Sequence, residues 1–85
     1  MWWLSFADPD RPEGTQFLGA AIVRAMSFLE AVQVAHHLGI NSGGEVQSLQ
    51  IPPEMKIPEK WIERLLTKAE CEEFDTEMLS AQVQL

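Results

Sequence analysis

QFLGAAIVRAMSFLEAVQVAHHLGINSGGEVQSLQI, residues 16–51, reads as strand, helix, strand. In QFLGAAIVR (16–24), Phe17, Gly19, Ala21 and Val23 alternate with Leu18, Ala20 and Ile22. Both faces are apolar, which suits a central strand. Gly19 and the β-branched pair Ile22 and Val23 weigh against a helix here. The helix follows in SFLEAVQVAHHL (27–38). Ser27 and Glu30 have the spacing of a capping box, in which each side chain bonds the other's backbone amide. Gly39 stands where a left-handed terminating residue is wanted. At about 100° per residue, Phe28, Ala31, Val32, Val34, Ala35 and Leu38 share one apolar arc. Glu30, Gln33 and His37 point away, and Leu29 lands among these polar residues. After the turn NSGG (41–44), EVQSLQI (45–51) has the imperfect alternation of a half-exposed edge strand.

Working outward, WWLSFA (2–7) has the aromatic enrichment of a strand, with Trp2, Leu4 and Phe6 on one face. DPDRPEGT (8–15) carries two prolines, Asp and Gly, and reads as an exposed loop joining antiparallel strands. The strand–helix–strand crossover implies that the second and third strands run parallel. Two strand orders remain, 3-1-2 and 1-2-3. Aromatics on the first strand incline toward 3-1-2.

Beyond Ile51, Pro52, Pro53 and Pro58 bracket an irregular connector. Pro58 then suits the first turn of a helix over 58–66, with Trp61, Ile62, Leu65 and Leu66 as its buried arc. Lys56, Lys60, Arg64 and Lys68 recur every four residues, but Glu59 and Glu63 are interleaved, so a solvated face explains them best. Thr67 and Glu70 repeat the capping-box spacing and open a further helix. Cys71, Phe74, Met78, Ala81 and Leu85 follow on one narrow seam. So short a helix needs a surface to lie on, either its own domain or another protein. The expected fold is α+β: a small three-stranded mixed sheet in the order β-β-α-β-α-α, with a crossover helix and C-terminal helices. Residues 1–68 form the core and 69–85 an acidic C-terminal helix.

Eighty-five residues make one domain with a modest core. Six basic against thirteen acidic residues give a net charge of −7, which argues against nucleic acid or an anionic membrane as direct partner. Glu70, Glu72, Glu73, Asp75 and Glu77 follow Ala69 with no base among them. The apolar runs fall short of the roughly 18 residues that span a bilayer. MWWLSFADPD lacks the basic and long apolar regions of a signal peptide, and a single cysteine fits a reducing compartment. A cytoplasmic protein is expected.

No motif specifies catalysis, a cofactor or a metal. His36 and His37 are adjacent on one helix, so their side chains diverge and cannot chelate one ion. Asp8, Asp10 and Glu13 share a loop, but not with the spacing of a calcium-binding loop. Cys71 lies among carboxylates that disfavour its thiolate. Gly43 and Gly44 precede a strand, not a helix, and so make no phosphate cradle. The expected function is that of a small acidic, non-enzymatic interaction module, binding another protein or itself as a homodimer. Its candidate surface comprises Leu29, Cys71, Phe74, Met78 and Leu85, with Glu70, Glu73 and Glu77 beside them. The half-exposed edge of the third strand offers a second surface that could pair with a symmetry mate. The competing readings are a small-molecule or metal binder, or minor enzyme, using His36 or the loop of Asp8 and Glu13, and an acidic mimic of nucleic acid.

Overall fold

The computed structural model describes residues 1–83, and their side chains as far as Ser80. Leu85 and the side chain of Ala81, both placed on the expected seam, lie outside the described residues. The elements are β1 (Trp2–Ala7), β2 (Phe17–Val23), α1 (Phe28–His37), β3 (Glu45–Gln50), a single 3-10 turn (Glu59–Trp61), β4 (Leu65–Leu66) and α2 (Lys68–Val83). The fold is α+β, with one four-stranded sheet in the order β3-β1-β2-β4.

The sheet departs from the expected three-stranded mixed one in two respects. β1 lies between β2 and β3, the 3-1-2 order toward which its aromatics incline, but it runs antiparallel to both. The two strands of the crossover are therefore parallel in direction but never neighbours, and every paired ladder is antiparallel. The second departure is β4, which lies in the stretch expected to be helical. Pro58 does begin a turn, but it closes after Trp61, and Ile62 is extended. Ile62 bridges Ile22 in parallel, the Glu63 amide donates to the Ile22 carbonyl at 2.7 Å, and Leu65 and Leu66 pair with Ala21 and Ala20. The apolar spacing of this segment fits one helix face equally well. The outer edge of β2 decides, because its free backbone groups hydrogen-bond an extended chain and not a helix.

Side chains alternate across β1, and each face carries its own core. On one face Leu4, Phe6, Ala21 and Val23 pack with Ala31 and Ala35 of α1. On the other, Ile22 and Leu66 pack with Ile51, Ile57, Trp61, Ile62 and Phe74 of α2. The alternation along β2 slips once. Phe6 pairs with Gly19 but Ala7 with Phe17, so Leu18 is the extra residue of a bulge and joins the α1 side. A strictly alternating strand would have put Leu18 beside Ile22.

Both capping signals operate. In α1 the Glu30 amide donates to Ser27 Oγ at 3.2 Å, while the Glu30 carboxylate accepts from the Met26 amide instead of that of Ser27. Gly39 has φ 73°, its amide bonds the His36 carbonyl, and Ile40 reaches back to Ala35, which together close the helix with a Schellman motif. At α2 the box is reciprocal between Thr67 and Glu70.

Gly44 enters β3 with φ 69°, and a Cβ there would lie 2.2 Å from the Ala7 carbonyl oxygen. Gly44→Ala must therefore strain the backbone and push β3 away from β1. The expected cost is about 2–4 kcal/mol, read as a lowered urea midpoint. Gly14→Ala, at a site with φ 88° but open space, should cost only the conformational part, about 1–2 kcal/mol.

Candidate functional site

The apolar seam of α2 lies on the chain's own sheet. Phe74 is 8% exposed, stacked on Trp3 with ring centroids 5.6 Å apart and met edge-on by Trp61 at 5.9 Å. Cys71 and Met78 are half-buried against the same cluster. Of the neighbouring acids, Glu70 closes the capping box and pairs with Arg64 at 2.6 Å. Glu77 accepts from the indole of Trp61 at 2.9 Å and pairs with Lys60 at 3.1 Å. These contacts hold both carboxyls below the ordinary carboxylate range: for Glu70 the Thr67 amide first and then Arg64, for Glu77 Lys60 and then Trp61. Glu73 is exposed, and Leu29 projects from α1 at 66% exposure.

Lys56, Lys60, Arg64 and Lys68 do not share a helix face, since the segment between them is a turn and a strand. Lys60 and Arg64 instead lie over the ring of Trp61, 4.9 and 5.6 Å from its centre. Arg24 pairs with Glu59 and Glu63 on the same segment. Residues that look like a charged surface in the sequence thus tie the 59–66 segment to β2 and α2.

His36 and His37 are both exposed in the last turn of α1. The Asp8 carboxylate accepts from the Asp10 amide at 3.0 Å, and the Gln16 side chain bonds the Arg11 carbonyl at 3.0 Å, so the loop is closed on itself. Among the described residues no three His, Cys, Asp or Glu side chains come together as a metal site. Burial, with Asp75, Glu70 and Glu72 nearby, pushes the Cys71 thiol above its ordinary value and away from nucleophilic use. No described helix is long and apolar enough to cross a membrane.

What sequence reasoning left half-read is the outer side of β3. The Ile51 amide donates to the Met1 carbonyl at 2.9 Å, and the register pairs Trp3 with Leu49 and Ser5 with Gln47. Hydrogen bonding alternates along an antiparallel ladder, so Gln47, Leu49 and Ile51 turn their backbone groups to β1. Val46, Ser48 and Gln50 turn theirs outward, and among the described residues no strand pairs with them. Edge strands are ordinarily blunted by lysine, proline, bulges or shortness. β3 is six residues long, regular in register, without lysine or proline, and charged only at Glu45.

Beside this edge runs an apolar groove of about 420 Å³, lined chiefly by Trp3, Leu49, Ile51, Met55, Phe74 and Met78. It exists because α2 lies over β2 and β4, away from the β3 side of the sheet. Leu49, at 67% exposure, stands on the lip between groove and edge. Phe74 and Met78 therefore do reach a surface, but along one flank only.

Comparison of the chain with family models, with curated proteins and with solved structures gives no match.

Two outcomes follow from the packing of α2. Phe74→Ala removes the ring between two tryptophans and should cost about 3–5 kcal/mol in chemical denaturation, with loss of near-ultraviolet dichroism. Acid should also loosen α2. Glu70 and Glu77 have lowered values when folded, so their contribution is complete above the ordinary 4.5 and lost as pH falls through the lowered values. In Glu70→Gln with Glu77→Gln, the fall in stability on acidification below about pH 4.5 should be shallower than in the parent.

Proposed function

We propose that this chain is a non-enzymatic interaction module that takes up an extended segment along the open edge of β3. The observation that carries the reading is the outward row of backbone groups at Val46, Ser48 and Gln50, unpaired among the described residues and unprotected by charge or proline. Strand addition draws its affinity from main-chain hydrogen bonds and its selectivity from pockets for alternate side chains. The groove beside Leu49 supplies such a pocket, and it would take an apolar side chain of the added segment. Its lining is apolar apart from Gln50 and Asp75, too few polar groups to orient a metabolite, which favours a peptide as its occupant. The net charge of −7 repels anionic polymers and selects against them as partners. A lone cysteine kept as a thiol suits a cytoplasmic setting.

In this reading α2 is a wall and not the docking element. Met78 and Phe74 present their outer flanks to the bound segment, Glu73 stays in solvent, and Leu29 serves the opposite face.

Ser48→Pro tests the reading cleanly, because the Ser48 amide points outward and its loss leaves the β1–β3 ladder whole. Peptides selected from a random library should protect the amides of Val46, Ser48 and Gln50 from hydrogen exchange. They should bind Ser48→Pro at least about tenfold more weakly. Undiminished binding to that variant would remove strand addition as the mode.

A further inference from the structure

We propose that the segment taken up at β3 is β3 of a second copy, paired antiparallel about a two-fold axis through Ser48. The proposal rests on the strand-uptake reading above and names the partner. Two strands joined edge to edge in antiparallel fashion are related by an axis perpendicular to the sheet. Such an axis keeps each face on its own side, so residues opposite one another must share a face. It can therefore pass only beside a residue, never between two.

The chain leaves one residue that fits. With the axis at Ser48, Ser48 faces its own copy and Val46 faces Gln50, so every outward backbone group of β3 finds a partner. Moving the axis to Gln47 would set Gln50 opposite Gly44, whose φ of 69° is not extended backbone. Moving it to Leu49 would set Val46 opposite Pro52, which has no amide proton to give.

Charge and packing agree with that register. Two chains of −7 repel in general, but β3 is neutral from Val46 to Gln50. Antiparallel pairing sends the two Glu45 residues to opposite ends, about 20 Å apart and well beyond the screening length of roughly 8 Å. Each Glu45 then faces Ile51 of the other copy. Leu49 and its counterpart become diagonal neighbours across the axis, covering a side chain that is otherwise 67% exposed. The two apolar grooves flank the joint as one trough. Assembly also stops there: both β3 edges are consumed, and the outer strand at each end is the two-residue β4. A joint of six-residue strands buries less than the roughly 800 Å² per partner of a tight complex, so the dimer should form in a concentration-dependent way.

The test uses the full chain with Cys71→Ala and one new cysteine at a time, Gln47→Cys, Ser48→Cys or Leu49→Cys, under mild oxidation. At position 48 the paired Cα atoms should stand about 5.5 Å apart, within disulfide reach. At 47 and 49 the like positions are offset by two residues, beyond the roughly 7 Å limit. Ser48→Cys should therefore cross-link at least about tenfold faster than either neighbour. Sedimentation should show the unmodified chain as a dimer that dissociates on dilution. Ser48→Pro should be monomeric with an unchanged far-ultraviolet spectrum. A chain monomeric at roughly 1 mM overturns the self-pairing, as does faster cross-linking at 47 or 49, or a dimer that survives Ser48→Pro. Monomeric protein that still binds library peptides at β3 would sink the two-fold pairing alone and leave strand uptake standing.

Discussion

Everything in this fold hangs on the alternation of side chains along β1. Trp2, Leu4 and Phe6 point to α1, while Trp3 points to α2, so one six-residue strand anchors both cores. A strand bearing apolar groups on both sides has to be central, with partners on both edges and a helix over each face. That single requirement places β2 and β3 on either side and makes their crossover skip a strand. It also explains why so short a chain can bury Phe6, Leu4, Ile22, Leu66 and Val23 almost completely. Every core residue lies within one layer of β1 or its neighbour.

Local signals in the sequence were strong wherever the chain bonds to itself over a few residues. Ser27, Glu30 and Gly39 mark the ends of α1 because capping needs only groups within one turn. Thr67 and Glu70 do the same for the start of α2. The stretch from Pro58 to Leu66 was illegible for the opposite reason. Trp61, Ile62, Leu65 and Leu66 have the spacing of a helix face, yet their conformation is set by the free edge of Ile22, Ala21 and Ala20, some forty residues earlier. No window over the segment contains that edge. The bulge at Leu18 was hidden similarly, since it shows only when β1 is laid against β2.

The candidate site was legible in halves. The seam of Cys71, Phe74 and Met78 stood out as apolar, but a seam does not say which surface it meets. Here the answer is Trp3 and Trp61 of the same chain. Glu70 and Glu77 looked like part of an acidic face and turn out to fasten α2 to Arg64, Lys60 and Trp61. Conversely, EVQSLQI reads as a half-exposed edge strand open to pairing with a second copy, and the position of α2 adds the apolar groove beside it. A helix centred on the sheet would have covered Leu49. Lying over β2 and β4, it leaves a groove instead.

The two edges of the sheet make the sharpest contrast in the molecule. The β2 edge is closed by Leu65 and Leu66, by the Glu63 amide on Ile22, and by Arg24 holding Glu59 and Glu63. Glu63 even adopts φ 59°, a left-handed backbone that costs a non-glycine residue about 1 kcal/mol or more. So much local structure spent on one edge shows that an open strand is a liability this chain can remedy. The β3 edge carries none of these devices, although a lysine at Gln47 or Gln50 would be sterically free and would suffice. Water satisfies the exposed backbone of Val46, Ser48 and Gln50 at no great cost, so stability alone does not require a partner there. It is Leu49 and the groove behind it that water does not satisfy. An added strand would hydrogen-bond that backbone and cover Leu49 in one step, which is the physical case for treating this edge as the working surface.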